Sequence, residues 1–116
     1  MTVQWVYMTA GSPEEAARIG AALVEGRLAA CVNIIEGMRS LYVWDGRLQD
    51  ERETVLIAKT TRERLPELVA TVTALHSYDC PCILALPVQE GNTDFLEWIR
   101  AGVAAGTAAP GDPSDR

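Results

Sequence analysis

The pair Asp45-Gly46 is the feature of this 116-residue sequence that most limits how the chain can fold. Asp-Gly is favoured in two-residue β-hairpin turns, because both turn positions require positive φ angles. The flanking segments Cys31–Trp44 and Arg47–Thr60 are equal in length, at 14 residues each. They predict one long hairpin, which we expect to be interrupted by a bulge near Glu36-Gly37. A tight turn at Glu36-Gly37 would instead leave the polar run Arg47–Thr54 without a partner of matching length.

A strand and a helix precede this hairpin. Val3–Met8 is a short run rich in β-branched and aromatic residues, which is typical of a buried strand. Ser12 and Glu15 are spaced as a capping box with a proline between them, and Gly26 is suited to end the helix in a left-handed turn. Leu28–Ile35 is then typical of a second buried strand. The order strand, helix, strand predicts a right-handed crossover within one sheet.

A second helix and a fourth strand follow the hairpin. Thr60 and Glu63 predict a second capping box at the start of this helix. Pro81 excludes a helix from the next segment, and Ile83–Val88 is typical of a strand. The apolar residues of the helix recur at helical spacing and are Leu65, Leu68, Val69, Val72 and Leu75.

The complete order of elements predicts an α+β fold. Asn92 is suited to cap a last helix beyond the fourth strand. Residues 1–103 then form one domain with the order β-α-β-β-α-β and an extra C-terminal helix, and residues 104–116 form a disordered tail. This order is that of the ferredoxin-like sandwich. In that arrangement two helices cover one face of a four-stranded antiparallel sheet, and the other face is bare.

The long hairpin needs more cover than one chain supplies. Leu41–Trp44 is apolar on both faces of its strand, and an extended arm of 14 residues reaches ~45 Å. Large aromatic side chains on such an arm require another surface to bury them. We therefore expect a homo-oligomer whose subunits cover one another's sheets. In the alternative, Tyr42 and Trp44 fold back onto the C-terminal helix at Trp98.

The charge and hydropathy of the chain limit its partners. Ten basic and sixteen acidic residues give a net charge of −6, which repels phosphate backbones, so nucleic acid is not expected as a partner. No apolar run approaches the ~20 residues that span a bilayer, and Met1–Trp5 lacks the basic start of a secretory signal. We expect a cytoplasmic protein without membrane contact, whose three cysteines are free thiols.

Cys80-Pro81-Cys82, with His76 four residues before it, is the cluster most suited to chemistry. Thiolates and imidazole favour Cu(I) or Zn(II), although the spacing differs from Cys-x-x-Cys. In the alternative, both cysteines are small apolar residues at the start of a strand, and His76 caps the C-terminus of a helix. Cys31 lies among apolar residues and is expected in the core. Lys59 either snorkels at a sheet edge or lines a cleft between subunits.

Five segments of the chain occur in the order that is found in one known family. These segments are Leu28–Ile34, Tyr42-x-Trp44-x-Gly46, His76-x-Tyr78-Asp79-x-Pro81, Leu86-Pro87-Val88 and Gly91–Trp98. From about Val3 to Val103 the chain resembles the CutA family of divalent-cation tolerance proteins. The resemblance implies a ferredoxin-like subunit, a tight trimer similar in build to the PII signalling proteins, and a link to copper and other divalent cations.

The chain departs from the usual family pattern in the loop that contains its thiols. The family usually has His-Pro-Tyr-Glu followed by Pro-Glu. This chain has His76-Ser77-Tyr78-Asp79 followed by Pro81-Cys82, so a thiol replaces an acidic group.

Two classes of function are consistent with these features. The first is a non-catalytic trimer that binds copper or another divalent cation, needs no cofactor to fold and contributes to metal tolerance. Its candidate ligands are His76, Cys80, Cys82 and, through the family link, Cys31. The second is a PII-like module with a small anionic ligand in a cleft between subunits, or a trimeric scaffold for another protein. The candidate cleft residues are Tyr42, Trp44, Lys59, Tyr78 and Trp98. No arrangement of nucleophile and base indicates an enzyme.

Overall fold

A computed structural model describes residues 1–104 of the chain. Its elements are β1 (Val3–Ala10), α1 (Pro13–Glu25), β2 (Cys31–Trp44), β3 (Arg47–Thr61), α2 (Leu65–Leu75), β4 (Ile83–Pro87) and α3 (Thr93–Val103). This is the predicted order, and the α+β class is confirmed. Beyond Ala104, the expected tail lies outside the described residues. Among residues 1–104, no helix combines the length and the apolar character that crossing a bilayer requires.

The four strands form one antiparallel sheet in the order β2-β3-β1-β4. β1 and β2 therefore belong to the same sheet, as expected, with β3 between them. Lys59 pairs with Trp5 of β1 on one side and with Cys31 of β2 on the other. Because both neighbours of β3 are present there, the alternative in which Lys59 snorkels at a sheet edge is wrong.

The hairpin between β2 and β3 is confirmed. Asp45 and Gly46 have φ angles of 52° and 73°, and Trp44 pairs directly with Arg47. The register shifts between Ile35 and Met38, where β2 contains one residue more than β3. Gly37, at this bulge, has a φ of 76°. Positive φ is readily available to glycine, so both the turn and the bulge follow from the sequence.

The end of α1 differs from the prediction. Gly26 has a φ of −82°, and the left-handed conformation falls on Arg27, with a φ of 58°. The N–H of Leu28 then donates to the Leu23 carbonyl at 2.8 Å, which brings the buried Leu28 side chain into the core. The position of the turn is therefore set by the packing of the residue that follows it.

The second predicted capping box is also wrong. Thr60 pairs with Gln4 of β1, so β3 stays extended as far as Thr61. The Thr60 hydroxyl donates to the Leu28 carbonyl at 2.6 Å in the core. α2 begins later, after Arg64, which makes no side-chain capping bond. The Thr60 hydroxyl, which the sequence predicts to cap a helix, thus connects β3 to the segment between α1 and β2.

One face of the sheet is covered by α1 and α2. The side chains of this core come from alternate positions of β1 and β3, from the α1–β2 connection and from the inner faces of both helices. They are Val6, Met8, Ala10, Ala16, Ile19, Leu23, Leu28, Ala29, Leu56, Ala58, Leu68 and Val72. α3 is capped by Asn92, as predicted, and packs against β1 and β3 with Ile99 and Val103 buried.

The opposite face of the sheet, which we call the open face, displays the residues that alternate with the core positions. It is formed by Trp5, Tyr7, Cys31, Asn33, Ile35, Ile57, Lys59, Leu84 and Leu86. Large apolar side chains are exposed on it, and Leu84 exposes 62% of its surface. Neighbouring exposed apolar side chains of this kind are typical of an interaction surface.

Beyond the last β1–β3 pair, at Ala10 and Thr54, the hairpin continues as a two-stranded arm, residues 38–53. The exposed large apolar side chains of the arm are Leu41, Tyr42, Val43, Trp44 and Leu48. Trp44 exposes 66% of its surface, whereas Trp98 stacks on Phe95 at a ring distance of 5.6 Å. The alternative in which the arm folds back onto Trp98 is therefore wrong.

Candidate functional site

The loop between α2 and β4 contains three of the predicted metal ligands. We call residues 76–82 the thiol loop: His76 follows the last turn of α2, and Cys82 directly precedes β4. All three cysteines of the chain are free; Cys80 is exposed and Cys82 is half-buried. The loop thus presents two thiols, separated by Pro81, just before an edge strand of the sheet.

His76 lies at the base of this loop with its side chain only 1% exposed. Its Nδ1 accepts a hydrogen bond from the Tyr78 N–H at 3.0 Å, and its Nε2 lies 2.7 Å from the Thr9 carbonyl oxygen. In the tautomer in which Nδ1 accepts from Tyr78, the ring proton is on Nε2, which then donates to Thr9. Both ring nitrogens therefore have backbone partners. A metal ion would have to displace one of them to bind His76.

Glu15 supports the same loop from the first turn of α1. Its side chain is buried, and its two oxygens accept hydrogen bonds from the Gly11 N–H at 3.1 Å and the Ser77 N–H at 2.7 Å. Its Oε2 lies 3.7 Å from Nδ1 of His76. Burial alone would raise the pKa of Glu15, but the hydrogen bonds from Ser77 and Gly11 outweigh burial and lower this pKa.

The capping role predicted for Glu15 is only half confirmed. The Ser12 hydroxyl does accept from the Glu15 N–H at 3.1 Å. The Glu15 carboxylate, however, bonds to Gly11 and Ser77 instead of returning to the Ser12 N–H. The capping-box spacing therefore located the helix start but concealed a contact with a loop 62 residues away.

Glu53, at the base of the arm, connects the thiol loop to the hairpin. The Tyr78 hydroxyl donates to Glu53 Oε2 at 3.1 Å, and burial together with the Glu53 charge raises the pKa of Tyr78 to about 12. Burial and the same carboxylate raise the pKa of the Cys82 thiol. Partial desolvation and the charges of Glu51 and Glu53 raise the pKa of Tyr42. Tyr78 and Cys82, two predicted site residues, thus lie close to Glu53, which no sequence pattern indicated.

Cys31 and Lys59 lie away from this loop. They pair across β2 and β3 on the open face, so the expectation that Cys31 packs in the core is wrong. The strand alternation explains the error: Val32, not Cys31, faces α1, where it lies against Gly20. The Lys59 ammonium donates to the Asn33 side-chain oxygen beside it.

The five predicted cleft residues do not meet within one chain. Tyr42 pairs with Gln49, which lies ten positions from Lys59 on β3, a separation of ~33 Å along an extended strand. Trp98, on α3, lines a shallow cavity beside Arg27 and Ala29. A cleft that unites these side chains therefore requires more than one copy of the chain.

The donors of the thiol loop suit a soft metal ion. Thiolate sulfur selects Cu(I) and Zn(II) over hard cations, and ligation requires the thiols to lose their protons. Because Glu53 and burial favour the protonated form of Cys82, a metal must compete with a proton there. Among residues 1–104, no group of three or more His, Cys, Asp and Glu side chains is arranged to hold a metal ion.

Comparisons with known proteins agree with the fold. A family model described as CutA1 divalent ion tolerance protein matches residues 4–102. The divalent-cation tolerance protein CutA of Thermus thermophilus is 48% identical over 95 residues, which cover 82% of this chain and 92% of that protein. The chloroplastic protein CutA 1 of rice is 41% identical over 95 residues, covering 82% of this chain and 54% of that protein.

A solved structure gives the same result. The divalent cation tolerance protein CutA1 from Thermus thermophilus superposes with a TM-score of 0.85 and 45% sequence identity. The superposition covers 88% of this chain and 99% of that chain. The family is named for tolerance to ions and not for a catalysed reaction. The match therefore extends over nearly all of the described fold, and the chain belongs to the CutA1 divalent ion tolerance family.

Proposed function

We propose that this protein is a non-catalytic homotrimer that binds copper or other soft or divalent metal ions and contributes to metal tolerance. The metal ion is the cargo of the protein and is not needed for folding. The family description supports the link to divalent ions. The observation that carries metal binding is the pair of free thiols, Cys80 and Cys82, on one short accessible loop.

The assembly is supported by the distribution of apolar surface. The strand order β2-β3-β1-β4 with two helices on one face supports a ferredoxin-like subunit, whose second face these helices leave without cover. That face and both sides of the arm expose large apolar side chains. In a trimer similar in build to the PII proteins, each copy covers the open face and the arm of its neighbours, which removes this surface from water.

The trimer also bears on the metal site. Each chain offers two thiols on the thiol loop, and the loop lies beside Glu53 at the base of the arm that neighbouring copies cover. Assembly brings several such loops together, so that ligands from more than one copy complete the coordination of one ion. Cys31, on the open face, lies apart from this site.

We propose that the protein acts in the cytoplasm. Its three cysteines are free, and two of them lie within three residues of each other. Thiols that bind Cu(I) must remain reduced, which the cytoplasm ensures and an oxidising compartment does not.

The test is a titration of the reduced protein with Cu(I) against a competing chelator. Saturable binding is expected for the wild type and a large loss for the double variant Cys80→Ser and Cys82→Ser, because serine does not supply a thiolate. Cys31→Ser is the matched control and should bind as the wild type does. Undiminished binding by the double variant would contradict the proposed ligands, and a loss confined to Cys31→Ser would transfer the site to the open face.

A further inference from the structure

We propose that Glu15 is a positioning residue, which holds the start of the thiol loop so that Cys80 and Cys82 are presented in the metal-binding conformation. This inference rests on the metal-binding function proposed above and assigns the support of that site. It concerns the geometry of the loop and not a ligand. Glu15 itself is buried in the first turn of α1 and faces Ser77 and His76.

The contacts of Glu15 connect three parts of the chain. One oxygen accepts from the Gly11 N–H, at the end of β1, and the other accepts from the Ser77 N–H, in the loop. A carboxylate is required for this arrangement, since only an acceptor at both oxygens satisfies two converging N–H groups. The bond to Ser77 is also the shorter of the two, at 2.7 Å against 3.1 Å.

The next residues of the loop are fixed in the same place. The ring of His76 donates to Thr9 and accepts from the Tyr78 N–H. The rings of His76 and Tyr78 pack at 4.7 Å, and the Tyr78 hydroxyl reaches Glu53. Three consecutive residues are therefore held by contacts with β1, α1 and β3 before the chain reaches Cys80.

An ordered start to the loop favours metal binding. A loop that is already held near its binding conformation loses less conformational entropy when its thiolates close on an ion. Residues that support metal ligands without touching the metal typically change affinity by about 10- to 100-fold when they are replaced. We expect an effect in this range for Glu15.

The test compares Glu15→Gln with Glu14→Gln. Glutamine keeps the size of the side chain but has a single acceptor oxygen, so one of the two N–H groups loses its partner. Glu14 is the adjacent, exposed residue of the same helical turn, and its replacement removes the same charge. Glu15→Gln is expected to weaken Cu(I) binding by about 10- to 100-fold, and Glu14→Gln to leave it unchanged. Equal affinities in the two folded variants would overturn the proposal.

A second measurement separates the loop from the metal. His76 is the only histidine of the chain, so its ring nitrogens give a single set of NMR signals. The wild type should show the Nε2–H tautomer and slow exchange of the Ser77 and Tyr78 amide protons. Glu15→Gln should give faster exchange of the Ser77 amide proton while the helical signal of the protein stays intact. Global unfolding would abolish that helical signal as well.

The two measurements keep the proposals distinguishable. If the wild type does not bind Cu(I), the proposed function fails while the NMR signals still report on the loop. If the wild type binds Cu(I) but its Ser77 amide exchanges as in a free peptide, the positioning role of Glu15 is refuted. This second measurement uses only the wild type, so it remains decisive if Glu15→Gln does not fold.

Discussion

The two ends of β3 contain the same residue type in opposite environments. Leu56, near the end that pairs with β1, is 1% exposed beneath the helices, whereas Leu48, in the arm, is 72% exposed. Both belong to one continuous strand of the β2–β3 hairpin. The difference teaches that one end of the strand is covered by its own chain and that the other end is left exposed by it, as the proposed assembly requires.

The two regions are also held by different interactions. The base of the sheet is fixed by a shared core and by buried polar contacts such as those of Glu15 and Thr60. The arm is fixed by its own turn, its bulge and its strand pairing, with the paired side chains of Arg39 and Asp50 on its surface. The arm therefore has a defined shape without a core of its own.

The largest expected effect comes from truncating the two leucines of β3. Leu56→Ala should lower the free energy of unfolding by about 2–5 kcal/mol, because it leaves a cavity beneath the helices. Leu48→Ala should change the stability of a separate subunit by less than about 0.5 kcal/mol. Urea denaturation at two protein concentrations measures both. In the assembled protein, Leu48→Ala should also lower the midpoint, since it weakens a proposed contact between copies, and this loss should shrink at protein concentrations low enough for the assembly to dissociate.

The same two leucine variants can also contradict the contrast between the two ends of β3. If Leu48→Ala lowers the free energy of unfolding as much as Leu56→Ala does at every protein concentration, the arm is supported within its own chain. The contrast between the two ends of β3 would then be wrong.

The next effect concerns the buried carboxylate at the base. Glu15→Gln should lower the free energy of unfolding by about 1–3 kcal/mol at neutral pH, because a part-buried N–H loses its charged acceptor, whereas Glu14→Gln should be nearly neutral. The pKa of Glu15 is lowered in the folded protein, so its contribution is present above the pKa of an unfolded glutamate. It is lost as the pH falls through the lowered folded value. Denaturation at a series of acidic pH values should therefore show that the free energies of unfolding of the wild type and of Glu15→Gln converge as the pH falls. A constant difference between them would contradict the assignment.

A somewhat smaller effect is expected at the tip of the arm. Gly46 has a φ of 73°, and a Cβ there would meet no other atom within 4 Å. Gly46→Ala should therefore lower the free energy of unfolding by about 1–2 kcal/mol, because an alanine is strained at this positive φ angle. Gly91→Ala is the control, since its added Cβ makes only ordinary contacts with Leu96. Thermal denaturation of both variants measures the difference, and equal stability would show that the turn does not constrain the arm.

The smallest effect is expected from the surface pair of the arm. Arg39 donates two hydrogen bonds to Asp50, at 2.8 and 2.6 Å, and these bonds lower the pKa of Asp50. The stabilisation is present above the pKa of an unfolded aspartate and disappears as the pH falls through the lowered value. Asp50→Asn should thus lower the stability only slightly at neutral pH, and added salt should reduce this effect. Urea denaturation at low and high salt measures it. An effect larger than that of Glu15→Gln would reverse the ranking of the two regions.

Local signals in the sequence predicted much of the fold. Asp45-Gly46 and Gly37 gave the turn and the bulge, because positive φ is a property of the residues themselves. The caps at Ser12 and Asn92 were predicted for a similar reason. The errors lie where distant contacts decide the structure. Thr60 has the spacing of a helix cap, but its hydroxyl is taken by Leu28, 32 residues away.

The candidate site shows the same limit. The sequence identified Cys80, Cys82 and Tyr78, whose residue types indicate chemistry, and it contained no signal for Glu53. Glu15 was assigned to a local cap because its contact with Ser77 depends on how α1 and α2 pack. Residue type and spacing reveal donors, whereas their support comes from residues that tertiary structure alone brings together.

The central claim is that the open face and the arm are covered by other copies of this chain. Sedimentation equilibrium of the full chain at micromolar concentration tests it most directly. We predict a mass three times that of the 12.6-kDa chain, with the arm tryptophan, Trp44, shielded from a water-soluble fluorescence quencher. A folded species with the mass of a single chain and an accessible Trp44 would contradict the account.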